Sequence, residues 1–141
     1  METKRKVLAY ITKGEEPNLE MLVFEHKHVP EAGLQVPGGT IEENEMLIDA
    51  LYREITEETG ICREELSLIG KIHKYNYYPK NQNTVYERNF FHLNYVGEQS
   101  IWEHDVVSDG KDNGMTFQFR FEPLSALPKL AGAQDDAVDL L

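Results

Sequence analysis

Between Gly39 and Ile61 the chain reads GTIEENEMLIDALYREITEETGI, and no other segment restricts the fold as strongly. At about 100° per residue, Leu47, Ile48, Leu51 and Ile55 fall on one apolar stripe, which predicts a helix with a single core-facing side. Asn44 reads as its N-cap, and Gly60 as the stop just past its end. The acids of this helix stand in unfavourable places. Glu58 projects within the apolar stripe, and Glu54 lies on its shoulder. Glu57 follows Arg53 by four residues, where an ion pair is geometrically allowed, whereas Glu54 and Glu58 repel one another at the same spacing. All three occupy the final turns, where the macrodipole favours cations. A carboxylate near a core edge is costly unless it is paired or bound to metal. Three of them facing one arginine leave excess negative charge, which a divalent cation would offset. A solvated acidic helix is the plain alternative, but it does not explain why the acids enter the apolar face.

Gly39, Glu45, Arg53, Glu54, Ile55, Glu57, Glu58, Gly60 and Ile61 fill every specified position of the pattern G-x5-E-x7-R-E-U-x-E-E-x-G-U, with U a bulky aliphatic residue. In this the segment resembles the signature of the Nudix hydrolases. The resemblance implies an α/β fold, an α/β/α sandwich around a mixed sheet, with the signature forming loop, helix and loop. It also implies hydrolysis of a nucleoside diphosphate linked to another group, with Mg²⁺ or Mn²⁺ as cofactor. By resemblance, Glu54, Glu57 and Glu58 would ligate the metal, with the backbone carbonyl of Gly39 as a further ligand. The catalytic set would be Arg53, Glu54, Glu57 and Glu58, with Glu54 as general base and Arg53 orienting Glu57. Glu45 would hold helix and loop together, or would be a helix-start acid favoured by the dipole. Within the family the base can instead come from a loop outside the signature. The stretch Gly97 to Gly114 offers Glu98, Glu103, Asp105, Asp109 and Asp112, together with His104.

The rest of the chain agrees with one domain over residues 1–141, a length that can bury a real core. Lys6 to Thr12 and Leu19 to Glu25 read as strands, and Leu34 to Val36 as a short extended piece. Leu66 to Tyr78 and Val85 to Val96 read as two strands joined by a polar turn. Gly97 to Gly114 reads as a polar loop interrupted by Ile101, Trp102, Val106 and Val107, with Trp102 a core plug. Met115, Phe117, Phe119 and Phe121 alternate with polar residues as a half-buried strand, and short helical segments follow from Leu124, the last near Asp135 to Leu141. Cys62 cannot form an internal disulfide and is expected to be a small buried residue. A reducing, cytoplasmic setting is the expectation, since no apolar run is long enough for a membrane and the N-terminus lacks the apolar core of a signal peptide.

A net charge of −11 argues against binding to nucleic acid backbone, but not against a small phosphorylated partner bridged by metal ions. The substrate stays open. Tyr78 follows Ile61 by seventeen residues, a position that resembles a tyrosine of diadenosine polyphosphate hydrolases. Tyr75, Tyr77 and Tyr78 equally suit strand residues facing core or solvent. A silent Nudix domain that senses nucleotide is the second reading, and the intact acids speak against it. The resemblance admits a homodimer, although no exposed apolar helix face calls for one.

Overall fold

A computed structural model, describing residues 1–141, lays seven strands in one mixed sheet with a single α-helix packed on it. The strands are β1 (Glu2–Lys13), β2 (Glu20–His26), β3 (Gly38–Thr40), β4 (Leu66–Tyr77), β5 (Thr84–Tyr95), β6 (Ile101–Asp105) and β7 (Thr116–Pro123). The helix, α1, spans Leu47–Thr59. The order across the sheet is β4-β5-β1-β2-β7-β6, with β3 paired to β1 off this path. Only β1 and β5 run parallel; Val7 to Ile11 of β1 is a continuous buried apolar run, as in a strand covered on both faces, whereas β5 buries Arg88 and Asn89 beside Phe90, Phe91 and Leu93.

One edge of β1 is shared, and this positions the site. Its end pairs with β2 at Thr12 and Lys13, and its middle pairs with β3 at Lys6, Val7 and Leu8. The segment 35–41 is wedged between them. Phe24 and Gln35 exchange backbone hydrogen bonds on the β2 side, while Ala9 donates to Pro37 and Ile41 to Arg5 on the β1 side. At Gly38 the backbone leaves no room for a side chain, because a Cβ there would stand 2.5 Å from the Val7 carbonyl oxygen.

Two cores lie on opposite faces of the sheet. Beneath α1, Ala50, Leu51 and Ile55 pack on Val7, Ala9, Phe91 and Leu93. On the other face the C-terminal tail brings Leu130 and Ala137 against Leu8, Tyr10 and Phe90. That outer layer consists of three-residue 3₁₀ turns at Leu124–Ala126, Ala131–Ala133 and Val138–Leu140. A longer helix cannot run through it, because Gly132 and Ala133 both take left-handed backbone angles, φ 56° and 57°.

Three local expectations are corrected. Asn44 does not cap α1: it sits in a turn at φ 63°, and the cap position is the extended Met46, which makes no side-chain cap bond. The stretch 97–114 is not all loop, since β6 pairs with β7 from Ile101↔Arg120 to Asp105↔Thr116. Its alternation was masked because Ile101 points outward and His104 inward. Cys62 is exposed, not buried, and opens the turn Arg63–Glu65. Trp102 does fill the core edge, stacking on Phe119 with its indole N–H donating to the Thr59 carbonyl at 2.9 Å. No helix is long and apolar enough to cross a membrane.

Candidate active site

The acidic end of α1 is held by groups from elsewhere in the fold. The last carbonyls of a helix lack internal partners. Here Thr56 accepts from the Gly60 N–H, Glu57 from the Val107 N–H, and Thr59 from Trp102. Gly60 takes the left-handed angle that stops the helix, φ 79°. The end of α1 is thereby fixed against the start of the 106–114 loop.

Arg53 organises the acids. Its Nε and Nη2 donate to the two oxygens of Glu45 at 2.7 and 2.9 Å, a bidentate pair. Nη1 reaches Glu54 at 3.0 Å and Glu57 at 3.2 Å, and Nη2 also donates to the Thr40 carbonyl. Glu45 in turn accepts from the Glu42 N–H, so the loop before the helix is tied to its second turn. The Arg53 hydrogen bonds hold the Glu45 carboxyl below its ordinary pKa.

Glu54 and Glu58 lie deeper. Gly39 packs its backbone directly against the Glu54 carboxylate, where any Cβ would overlap it. Glu58 is 5% exposed and accepts one hydrogen bond, from the Gly38 N–H at 2.9 Å. Burial raises the Glu54 pKa to about 7, with Arg53 opposing, and raises that of Glu58 well above the usual carboxylate range. A cleft of about 450 Å³ opens over these groups. Glu54, Glu57, Glu58 and Asp112 face it together with Lys4, Lys6 and Lys111. Lys6 donates to the Thr40 hydroxyl at 2.6 Å, and burial followed by the charge of Lys4 lowers its pKa.

These shifts predict a pH profile. A carboxyl whose pKa rises on folding holds its proton more tightly in the native state, so its contribution is most favourable below the unfolded value near 4.5 and declines as pH rises to about 7. For Glu54 the displacement from 4.5 to about 7 corresponds to roughly 3 kcal/mol. His92, whose pKa burial lowers, titrates in an overlapping window with the opposite sign. Comparison with Glu54→Gln cancels His92 and reports Glu54 together with its repulsion of Glu58. In chelator-treated buffer, the melting temperature of the native protein relative to that variant should fall between about pH 5 and about pH 7.5. A difference that stays flat would contradict a buried, destabilised Glu54.

The family model for the NUDIX domain matches residues 2–141. The chain belongs to the NUDIX family. Over 85 residues this Nudix chain is 32% identical to an RNA pyrophosphohydrolase of Thioalkalivibrio sulfidiphilus, a match that covers 60% of this chain and 48% of that protein. The chain thus spans about half the length of that relative. Among solved structures it resembles a MutT NUDIX hydrolase from Burkholderia pseudomallei, with a TM-score of 0.71 at 22% identity over 100% of this chain and 99% of the other. It also resembles the NUDIX domain of Shewanella oneidensis NrtR complexed with ADP ribose, with a TM-score of 0.68 at 14% identity over 99% and 86%. The structural likenesses show the Nudix fold.

Within this Nudix chain, Gly39, Arg53, Glu54, Glu57 and Glu58 all line one cleft. Of the loop groups that the sequence left unranked, Asp112 alone reaches it. Glu103 is paired with Lys27 and Gln118, Asp105 accepts from Thr116, and His104 packs against Gly60. Sequence reading missed Lys4, Lys6, Tyr86 and Lys111. The first three belong to β1 and β5, where the parallel register sets Lys4 beside Tyr86. Lys4 and Lys6 stand in the polar run Glu2 to Lys6, and Tyr86 stands beside Glu87 and Arg88, so no local pattern sets them apart from an exposed strand end.

Proposed function

We propose that this Nudix chain is a metal-dependent pyrophosphohydrolase acting on a nucleoside diphosphate linked to a further group. One observation carries this reading: Glu54, Glu57 and Glu58 share a cleft with Lys4, Lys6 and Lys111. Acids alone would repel a pyrophosphate, and lysines alone would not need them. Carboxylates facing lysines across one cleft suit a polyphosphate bridged to the acids by divalent ions.

The donor set fits Mg²⁺ or Mn²⁺. Glu54, Glu57, Glu58 and the Gly39 carbonyl are hard oxygen donors, and Glu58 is a buried carboxylate with a single hydrogen bond. No three His, Cys, Asp or Glu side chains form a ready-made cage. Magnesium is commonly held by one or two carboxylates with water and substrate phosphates completing its shell, so an open acidic wall suits it. Bound there, the metal would supply charge neutralisation of the phosphates and a lowered pKa for an attacking water. The chain's own residues do the rest. Lys4, Lys6 and Lys111 attract and position phosphate oxygens. Arg53 fixes the rotamers of Glu54 and Glu57. Glu54, at the cleft wall against the Gly39 backbone, is placed to take the proton from the attacking water. Asp112 is the loop carboxylate in position to share that role.

A panel of nucleoside triphosphates, ADP-ribose, nucleotide sugars and dinucleoside polyphosphates, assayed with Mg²⁺ and with Mn²⁺ by product identity, tests this reading. Metal-dependent cleavage of a pyrophosphate bond is expected in at least one class. No release from any of them would leave a nucleotide-binding domain without catalysis. Millimolar Mg²⁺ should also raise the melting temperature of the native protein, because the acids converge only in the folded state. That rise should shrink in Glu57→Gln, and an equal rise in both proteins would place the ion elsewhere.

A further inference from the structure

Arg88 is a buried cation without an acid. It is 6% exposed on β5, its Nη1 donates to the Gly132 carbonyl at 2.6 Å, and its guanidinium lies 3.9 Å from the centre of the Tyr77 ring. Its sequence neighbour Glu87 is engaged elsewhere, with Arg5 at 3.3 Å and Lys74 at 3.8 Å. Burying a charge is costly unless it is paired and hydrogen-bonded. A guanidinium has five N–H groups; one meets the Gly132 carbonyl and another the Tyr75 hydroxyl, which leaves the rest of the fork to offer.

The guanidinium borders an inner chamber of about 220 Å³ that opens onto the phosphate cleft, the two sharing Lys6, Gly39, Glu58, Tyr86 and Asp112. That volume falls below the range for a whole drug-sized ligand, so the chamber suits one part of a larger molecule. Leu8 and Val36 provide apolar wall. Glu58 and Asp112 belong to the part shared with the phosphate cleft, and the polar side chains special to the chamber are Gln35, Arg88 and Gln134. Gln134 spends its Oε1 on the Val36 N–H at 2.9 Å and turns its Nε2 to Gln35 Oε1 at 3.4 Å. With its oxygen so engaged, Gln35 has its amide N–H groups left to offer. Gln35 and Arg88 both line the chamber. An apolar slot with a donor edge, beside a phosphate cleft, matches a flat ring that presents acceptors.

We propose that Arg88, with Gln35, reads the nucleobase of the substrate in this chamber and selects bases that present a carbonyl edge over bases that present an amino edge. Guanine offers O6 and N7, two adjacent acceptors that match the guanidinium fork. Adenine offers N7 beside an N6 donor, which would face an N–H and leave both groups unpaired. The same contrast separates the O4 of uracil from the N4 amino group of cytosine. This selection rests on the pyrophosphohydrolase reading only for where the phosphates lie.

The test compares kcat/KM for GTP, ATP, UTP and CTP in the native protein, Arg88→Met, Arg88→Lys and Gln35→Ala, with circular dichroism to verify folding. The native protein should favour GTP over ATP by about tenfold or more, and UTP over CTP in the same sense. Arg88→Met and Arg88→Lys should both collapse these ratios towards one, since lysine lacks the planar fork. Equal native rates on GTP and ATP would overturn the proposal. So would a uniform loss on all four nucleotides that Arg88→Lys restores, which marks a phosphate contact. If both Arg88 variants unfold, Gln35→Ala decides: an unchanged GTP to ATP ratio rejects the assignment. Should none of the four be hydrolysed, the function proposed above fails for triphosphates, and binding of GMP and AMP followed by NMR shifts decides separately. Tighter GMP binding by about tenfold sustains base reading, and equal affinities end it.

Discussion

Replacing Glu54 or Glu57 with glutamine should cut turnover at least about 100-fold while the fold survives, the low end for losing a general base. The substitution keeps the size of the side chain and removes its charge. For Glu54 the change also relieves a burial penalty, because its carboxyl sits against the Gly39 backbone with its pKa raised to about 7. The variant should therefore be inactive and at least as stable as the native protein at neutral pH, a pairing common where an active site stores destabilisation. Glu57 is different in kind. It shares Arg53 Nη1 with Glu54 and stands at the cleft without comparable enclosure, so its loss should remove metal affinity more than stability. Single-turnover rates and melting curves for both variants check this. Native rates in either one would remove that residue from the proposed machinery. An Asp112→Asn variant adds the needed contrast: a loss as deep as that of Glu54→Gln would move the base to the loop.

Arg53→Ala should produce the largest loss of stability among the site residues, about 3 kcal/mol. One guanidinium serves Glu45, Glu54, Glu57 and the Thr40 carbonyl, with Glu42 at 3.7 Å. Without it, Glu45, Glu54 and Glu57 face one another with no guanidinium between them, and the loop 40–45 loses its tie to the second turn of α1. Removing one partner of an enclosed pair costs far more than the pair is worth against apolar replacements, because the remaining charge stays buried. In a chain of this length the expected fall in melting temperature is roughly 10 °C. Arg53→Lys should recover only part of it, since an ammonium cannot hold Glu45 in two parallel bonds. A fall below about 2 °C for Arg53→Ala would show that the acids rearrange freely and that Arg53 is not their organiser.

How much of this was legible in the sequence depends on the range of the interaction. The apolar stripe of Leu47, Leu51 and Ile55 and the stop at Gly60 come from periodicities of a few residues, and they appear in the fold as read. The misreadings share another cause. Asn44 has the chemistry of a cap, yet the Glu45–Arg53 pair pulls the loop into a turn and starts the helix at Leu47. The strand of Ile101–Asp105 was hidden because its outward positions include Ile101 and its inward ones His104, so only pairing with β7 reveals it. Cys62 reads as a buried residue by composition, but it follows the helix stop on the outer surface.

By itself the sequence determined the family and the acids, because Arg53, Glu54, Glu57 and Glu58 lie on one helix whose geometry is set by local hydrogen bonds. Tertiary structure alone decided what faces them. Lys4 and Lys6 come from β1, Arg88 from β5, and Lys111 and Asp112 from a loop more than fifty residues beyond α1. Their meeting depends on the parallel β1–β5 register and on the wedge of residues 35–41 into β1, long-range pairings that no local pattern encodes. Hence the acid wall could be read from one segment, whereas the lysines opposite it and the donor-lined chamber beside it could not.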